Sequence, residues 1–256
     1  MRYSVSSKAA GNEAVGALRR TRRRRGRTPM TSPVLSTPFD DEARAIIARA
    51  LVSGEVMAYP TETSYALGGN GLDECVCRAV RRIKGRAGDK ALSLLIDGAP
   101  MLGRLTRDVT PAAQVLMERY WPGPLTLVFH AAPGLPPQTV DARDTVALRW
   151  SPHPVVGALL DIGCVPLIGT SANRAGGQPL HSAEEVVAAF GETVAVVLDN
   201  DEPWRAEAEA EAEWGRGPST LVDTTVEPFH VIRPGAVAKS MIQATLAERF
   251  IRAVPD

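Results

Sequence analysis

The stretch DDEARAIIARALVSGEVMAYPTETSYALGGNGLDECVCRAVRRI, residues 40–83, contains the signals that decide the fold. Asp40 or Asp41 can cap a helix, because apolar residues follow at helical spacing, and Gly54 ends that helix. A short apolar run rich in strand-forming residues comes next. We therefore predict a helix from the cap to Gly54, and then a strand over 55–59, a glycine-bearing loop over 60–71 and a helix over 72–83.

Helix and strand signals alternate along the rest of the chain. Further strands are predicted at 92–96, 125–129, 146–150, 165–168, 194–198, 220–222 and 229–232, and further helices at 111–120, 154–162 and 183–190. Helices interleaved with strands indicate a layered α/β domain. Adjacent late strands without a helix between them argue against an all-parallel sheet. We expect a twisted mixed β-sheet flanked by helices.

Length and composition exclude several classes of protein. The chain has 256 residues, of which 45% are hydrophobic and 23% charged, so fibrous and wholly disordered classes are excluded. No apolar run reaches the ~18 residues of a membrane helix, and the first residues lack a secretory signal. Three cysteines form no disulfide framework, and no Cys/His spacing indicates zinc or another bound metal. We expect a cytoplasmic protein without a membrane partner.

The formal net charge is zero, but two segments are strongly biased. Residues 1–38 carry a net charge of +8, and 199–213 carry −6. The first segment lacks apolar periodicity, so we expect it not to pack. It fits an over-extended gene start before Met30, a disordered basic tail that contacts nucleic acid, or an organellar transit peptide. The second is expected to be a solvated connector.

The sequence does not match three known motifs of nucleotide-binding proteins and hydrolases. After Gly69 and Gly71, the third glycine of a dinucleotide fingerprint would fall at Glu74, whose charge opposes a pyrophosphate. A Walker A sequence is missing. The run 169–173 resembles a nucleophile elbow, but Asn173 stands where the second glycine belongs. A Ser/His/Asp hydrolase is therefore disfavoured.

Polar loops follow several predicted strands, at the strand ends where open α/β sheets bind ligands. Each loop alone is also explained as a turn, a cap or an exposed cation. Lys84 and Arg86 flank a glycine, so both can reach one polyphosphate, although cations at a helix end also complement its dipole. Lys90 extends this basic group. Arg149, at a strand end, is a candidate clamp for a carboxylate or phosphate.

Seven short motifs, taken in sequence order, are more specific together than separately. They are Tyr59-Pro60-Thr61-Glu62-Thr63, Lys84-Gly85-Arg86, Trp121-Pro122-Gly123-Pro124-Leu125-Thr126, Val146-Ala147-Leu148-Arg149, Ser171-Ala172-Asn173, Ser219-Thr220-Leu221-Val222-Asp223 and Arg233-Pro234-Gly235. The combination resembles the YrdC-like family of threonylcarbamoyl-AMP synthases over roughly residues 40–235. The resemblance implies the YrdC-like, or DHBP synthase-like, fold.

The resemblance also implies an activity. Members of this family condense L-threonine, bicarbonate and ATP into threonylcarbamoyl-adenylate and pyrophosphate, which supplies threonylcarbamoyladenosine beside the anticodon of tRNA. Mg²⁺ is expected to accompany ATP, because several phosphate oxygens gather in one site. The short, single-domain type implied here needs partner proteins to pass the product to tRNA. Contact with tRNA or double-stranded RNA is a further expectation.

Individual residues take roles from the matching motifs. The resemblance implies that Lys84 and Arg86 are catalytic. ATP-binding residues would be Lys84, Arg86, Lys90, Thr145, Ser171, Asn173 and Arg233. Threonine-binding residues would be Thr61, Thr63, Arg149, Gly169 and Ser219. The sequence departs from many relatives at Ala87, where they have proline, and at Leu95, where they have histidine.

Three segments and two further functions complete these expectations. We predict a leader over 1–38, a catalytic domain over 39–238 and a C-terminal helix over 239–256. The basic leader and cationic loops also fit an RNA-binding module of the same fold. A related carbamoyl-transfer domain, as in hydrogenase-maturation proteins, is the third candidate; it would use carbamoyl phosphate.

Overall fold

The computed structural model describes residues 32–85, 90–199, 214–215 and 217–251. Several predictions lie wholly or partly outside these ranges. They concern most of the basic leader (1–31), Arg86 and Ala87, all but the first residue of the acidic connector (200–213), and the last five residues of the predicted C-terminal helix (252–256).

Seven helices occur in the described ranges. They are α1 (Asp41–Val52), α2 (Glu74–Ile83), α3 (Ala99–Leu105), α4 (Pro111–Tyr120), α5 (Pro154–Gly163), α6 (Ala183–Phe190) and α7 (Lys239–Ile251). The Asp40 carboxylate accepts from the Ala43 amide at 2.8 Å and caps α1. Ser182 and Glu185 form a reciprocal capping box at the start of α6. The sequence prediction is confirmed for five of these helices, and α7 covers residues 239–251 of the C-terminal helix predicted over 239–256.

Eleven strands form two mixed sheets within the part of the chain that the structure describes. The strands are β1 (Val34–Ser36), β2 (Met57–Pro60), β3 (Tyr65–Gly68), β4 (Leu94–Leu95), β5 (Leu125–His130), β6 (Thr145–Arg149), β7 (Leu167–Ile168), β8 (Thr170–Ser171), β9 (Val197–Asp199), β10 (Thr220–Asp223) and β11 (His230–Arg233). The first sheet has the order β1-β9-β2-β3-β8 and the second β11-β10-β5-β6-β4-β7. The predicted mixed α/β architecture is confirmed.

One apolar core joins the sheets and helices. Ile47 of α1 and Leu159 of α5 are fully buried in it, as are Leu67 of β3 and Leu127 of β5. The helix α7 packs against α4, where the hydroxyls of Tyr120 and Thr245 lie 2.8 Å apart. The predicted C-terminal helix therefore belongs to the same core as the predicted catalytic domain.

The end of the non-packing leader was predicted too late in the chain, because residues before position 38 already belong to the folded domain. Val34–Ser36 forms β1, which pairs in parallel with β9. The Ser32 hydroxyl is buried and contacts the carbonyls of Gly191 and Val194 at 2.6 and 2.5 Å. A strand of three residues is too short to show a hydrophobic periodicity, and its partner β9 lies far away in the sequence. The basic composition of the leader therefore gave no sign of β1.

The predicted loop over 60–71 is also wrong in part, because it contains β3. Tyr65–Gly68 pairs antiparallel with β2, and all four residues are buried. Gly68 is required by close backbone approach, since a Cβ there would lie 2.1 Å from the Ile168 carbonyl oxygen. The glycine therefore marks contact between β3 and β7 and not a turn.

Two other local expectations change. The sequence predicted no strand over 169–173, but Thr170 and Ser171 form β8 against β3, and Asn173 is buried. The helix α3 was not predicted, because Gly98 and Pro100 around its start indicated a loop. In the described parts of the chain, no helix has the length and apolar content to cross a membrane.

Candidate active site

A cavity of about 790 Å³ is lined by residues of both sheets. Strands β3 and β8 of the first sheet contribute to its wall, together with β5, β6, β10 and β11 of the second. Nine of the residues predicted to bind substrates lie on this wall: Thr61, Thr63, Lys90, Thr145, Arg149, Gly169, Ser171, Ser219 and Arg233. The fold thus brings together side chains that are up to 172 positions apart in the sequence.

Lys84 and Asn173 lie behind this wall and do not line it. Lys84 is fully buried, and its ammonium group donates to the Ser171 carbonyl and, at 2.9 Å, to Asn173 Oδ1. The Ser171 hydroxyl donates to the same Oδ1 at 2.7 Å. Lys84 and Asn173 therefore fix the position of Ser171, which does line the cavity. The predicted contacts of Lys84 and Asn173 with ATP stay predictions.

A buried ion pair stands at the end of β6. Arg149 Nη1 donates to Glu62 Oε1 at 2.5 Å and to the Thr63 hydroxyl at 3.2 Å. Only 6% of the Arg149 side chain and 9% of the Glu62 side chain are exposed, so water screens the pair weakly. The Thr63 hydroxyl in turn lies 3.0 Å from that of Thr61. Glu62 lies within one of the sequence motifs, but no role was predicted for it.

Ser219 lies at the centre of a second polar group. Its hydroxyl is 2.8 Å from that of Thr126 on β5. Arg233 Nη2 donates to the Ser219 carbonyl at 2.8 Å and to its hydroxyl at 3.0 Å. The side chains of β5, β10 and β11 are brought together because β10 pairs with both neighbours. Thr126 was not predicted as a site residue.

A third polar group, which was not predicted, is built on Arg143. Its Nη1 donates to Asp223 Oδ2 at 2.7 Å, and its Nε and Nη2 contact Asp141 Oδ2 at 3.4 and 3.3 Å. Arg143 and Asp141 line the cavity, whereas the Asp223 side chain is only 4% exposed. The available signal was an arginine just before a strand that ends on another arginine, which is weak by itself.

Hydrogen bonds lower the pKa values of both carboxylates in this group. Burial raises the pKa of Asp223, but donors from Thr225 and Arg143 outweigh it and lower that pKa below its ordinary value. Burial likewise raises the pKa of Asp141, and hydrogen bonds from Thr145 and Arg143 reverse the effect. Both carboxylates are therefore ionised at neutral pH.

Tyr59 lies near the cavity but is not suited to proton transfer. Its hydroxyl donates to the Ile168 carbonyl at 2.5 Å, and the residue is fully buried. Burial raises the pKa of this hydroxyl strongly, although the nearby Arg149 partly lowers it. Tyr59 therefore joins β2 to β7 and stays neutral.

The carboxylates of the cavity do not form a metal centre of their own. Among the described residues, no group of three His, Cys, Asp or Glu side chains could hold an ion. Asp141 is the one acidic residue on the described wall, and it already accepts from the Thr145 amide at 2.9 Å. The residues present therefore do not fit a protein-held Mg²⁺ site.

Comparison with known proteins identifies relatives of the chain. The Sua5/YciO/YrdC family model, described as "Telomere recombination", matches residues 49–235. The threonylcarbamoyl-AMP synthase of Pyrococcus abyssi is 32% identical over 203 residues, which cover 79% of this chain and 57% of that protein. The threonylcarbamoyl-AMP synthase of Thiobacillus denitrificans is 34% identical over 170 residues, which cover 66% of this chain and 85% of that protein.

A solved structure agrees with these matches. The crystal structure of P. abyssi Sua5 complexed with L-threonine superposes with a TM-score of 0.75 at 29% identity. The match covers 86% of this chain and 62% of that one, so the chain spans under two thirds of the Pyrococcus protein. The match over residues 49–235 and the identity to relatives from two organisms show that this chain belongs to the Sua5/YciO/YrdC family.

Proposed function

We propose that the chain is an L-threonylcarbamoyladenylate synthase. It would make threonylcarbamoyl-AMP and pyrophosphate from L-threonine, bicarbonate and ATP. The observation that carries this proposal is the cavity on whose wall nine of the predicted substrate-binding residues lie. The names of the relatives from P. abyssi and T. denitrificans support it.

The amino-acid end of the cavity comprises Thr61, Thr63, Arg149, Gly169 and Ser219. Arg149 is fixed by Glu62, so its guanidinium can bind the threonine carboxylate with little loss of side-chain entropy. The hydroxyls of Thr63 and Ser219 lie on the same wall and can contact the amine and the hydroxyl of threonine. A fixed cation with two hydroxyls suits a small polar amino acid.

The nucleotide end comprises Lys90, Thr145, Ser171 and Arg233. Two cations here can compensate the triphosphate charge, and two hydroxyls can donate to phosphate or ribose oxygens. Lys84 and Asn173 support Ser171 from behind. We propose that Arg86, which lies outside the described residues, adds a third cation.

The chemistry requires no covalent enzyme nucleophile. The threonine amine and bicarbonate form a carbamate and release water. A carbamate oxygen then attacks the α-phosphorus of ATP, the bond to the β-phosphate oxygen breaks, and pyrophosphate leaves with the electron pair. Holding the carbamate and ATP in one cavity makes this step effectively unimolecular, and fixed cations stabilise the charge that moves to pyrophosphate. We propose that Mg²⁺ enters as the MgATP substrate, held by phosphates and water.

The first experiment measures pyrophosphate release with L-threonine, bicarbonate and MgATP. Lys84→Ala is expected to reduce the rate about a hundredfold, because it leaves the Ser171 carbonyl and Asn173 Oδ1 without their charged donor. Arg86→Ala is expected to cause a comparable loss, because it removes a positively charged side chain proposed to bind the triphosphate. The exposed Lys239→Ala on α7 is the matched control and should retain the wild-type rate. Release that needs no threonine or bicarbonate would refute the function, and near-normal rates in both variants would refute the roles proposed for Lys84 and Arg86.

The later steps also form part of the proposal. We propose that the product modifies tRNA beside the anticodon with the help of partner proteins in the cytoplasm. The free thiols of Cys75, Cys77 and Cys164 support a reducing compartment. We propose RNA contact through residues 1–31 as a separate property. Salt-dependent tRNA binding by the full chain that disappears in a chain starting at Met30 would support that contact; unchanged binding by the shorter chain would refute it.

A further inference from the structure

Glu62 is tied into the site through both carboxylate oxygens. Oε1 accepts from Arg149 Nη1, and Oε2 accepts from the Ser151 hydroxyl at 2.5 Å. The Ser151 oxygen accepts from the His153 amide at 3.2 Å, and His153 caps α5. The carboxylate therefore links the loop after β2 to the end of β6 and the start of α5.

Glu62 acts through Arg149 and not by touching the ligand. Glu62 is not among the described residues of the cavity wall, whereas its neighbours Thr61 and Thr63 are. Arg149 Nη1 already donates hydrogen bonds to Glu62 and Thr63. In the described parts of the chain, the other guanidinium nitrogens of Arg149, Nε and Nη2, have no hydrogen-bond partner. Since Arg149 lines the cavity, these are the donors available to a ligand.

The charge of the pair matters as much as its geometry. Glu62 and Arg149 carry opposite charges, and both side chains are shielded from water. The pair therefore contributes no net charge to the amino-acid end. A single carboxylate still binds there, because a guanidinium fork matches two carboxylate oxygens. A polyphosphate depends on net positive charge to offset its own desolvation, and this pair supplies none.

We infer that Glu62 is a positioning residue that orients Arg149 and cancels its charge, so that the amino-acid end accepts one carboxylate and rejects polyphosphate. The inference rests on the proposed function, because it assigns that end to threonine. It explains how one cavity keeps ATP or pyrophosphate from occupying the place of the amino acid.

Two substitutions separate orientation from charge. In Glu62→Gln, the amide oxygen can still accept from Arg149 and the amide nitrogen can donate to Ser151, whose hydroxyl oxygen has two lone pairs. That variant keeps the geometry and removes the negative charge. Glu62→Ala removes both. Glu74→Gln makes the same chemical change in an exposed pair with Arg78 on α2 and serves as the matched control.

The experiment titrates L-threonine into each variant by calorimetry, with and without saturating pyrophosphate. We expect the Kd for threonine to change less than about threefold in Glu62→Gln and to rise about tenfold or more in Glu62→Ala. Pyrophosphate should raise the apparent threonine Kd less than about twofold in the wild type and Glu74→Gln, but about tenfold in Glu62→Gln. Thermal unfolding shows whether each variant is folded. If Glu62→Ala is not, Ser151→Ala tests orientation, with an expected rise in the threonine Kd of about threefold.

Equal losses of threonine binding in the Gln and Ala variants would overturn the inference. So would an effect of pyrophosphate that is the same in the wild type and Glu62→Gln, or a wild type that binds no threonine. Because these are binding measurements, they stay decisive if the wild type binds threonine but releases no pyrophosphate. That last result would refute the proposed function alone.

Discussion

Arg149 and Arg143 line the same cavity, but the protein holds them in different ways. Arg149 has one carboxylate partner, Glu62, and both side chains are less than a tenth exposed. Arg143 has two carboxylate partners, Asp141 and Asp223, yet half of its own side chain is exposed. The number of ion pairs is larger at Arg143, and the burial is larger at Arg149.

The difference shows that burial, more than the number of partners, determines what an ion pair does. A buried pair loses much hydration energy and depends on its partner, so breaking it is costly. An exposed pair is replaced by water and screened by salt, so breaking it costs little. Arg149 is therefore suited to fix a ligand in one geometry, whereas Arg143 can adjust to a ligand at small cost.

The largest expected effect comes from Arg149→Met. It leaves the Glu62 carboxylate buried without its cation, so the free energy of unfolding should fall by about 3–5 kcal/mol. Denaturant unfolding measures this change. Arg149→Lys keeps the charge but loses the planar fork, and we expect an intermediate loss of stability and of threonine binding. A loss below about 1 kcal/mol in Arg149→Met would show that the pair is effectively exposed.

Asp223→Asn should have an intermediate effect, because its carboxylate is buried but its cation is not. We expect a loss of about 1–2 kcal/mol at pH 7, since the hydrogen bonds from Thr225 and Arg143 are to a charged acceptor. The folded-state pKa of Asp223 is lowered, so its contribution is present above the ordinary value of 3.8 and is lost as pH falls through the folded value.

The free energy of unfolding, measured from pH 7 down to pH 2, tests whether Asp223 loses its stabilising contribution as the pH falls. The wild type should lose stability more steeply with acid than Asp223→Asn, and the two curves should converge at the acid end. Parallel curves would mean that Asp223 has the same pKa in the folded and unfolded states. Glu74→Gln, whose ion pair is exposed, should follow the wild type throughout.

Arg143→Gln should have the smallest effect on stability, about 0.5–1 kcal/mol, because the cation is half exposed and glutamine can still donate to Asp223. Arg143 also lines the cavity, so its loss should raise the KM for the negatively charged MgATP modestly, and this effect should shrink between 50 and 500 mM salt, since exposed charges are screened. A loss as large as that of Arg149→Met would erase the contrast between the two arginines.

Local signals in the sequence were sufficient for much of the fold. Asp40 caps α1 as predicted, and Ser182 caps α6 directly before the predicted helix over 183–190, because capping is decided within a few residues. Gly68 misled the prediction, since a glycine required by a distant strand looks the same as a glycine in a turn. The pairing of β1 with β9 had no local signature at all.

Some residues of the site were predicted and others were not, because local signals are visible in the sequence and contacts between distant residues are not. Arg149 and Ser219 were predicted at strand ends, since Arg149 lies near the end of the predicted strand over 146–150 and Ser219 comes directly before the one over 220–222, and both line the cavity. Burial is a property of the folded chain, so the sequence did not show that Lys84 lies behind Ser171 or that Glu62 is paired. Arg143 was missed because its carboxylate partner Asp223 lies 80 positions away.

The proposed condensation in one cavity is tested most directly by the fate of the bicarbonate carbon. Wild-type protein is incubated with ¹³C-bicarbonate, L-threonine and MgATP, and the nucleotide products are analysed by mass spectrometry while pyrophosphate is quantified. The expected result is an adenylate that contains threonine and one ¹³C carbon, formed in equal amount with pyrophosphate. An adenylate without the label, or ADP and phosphate in place of pyrophosphate, would contradict it.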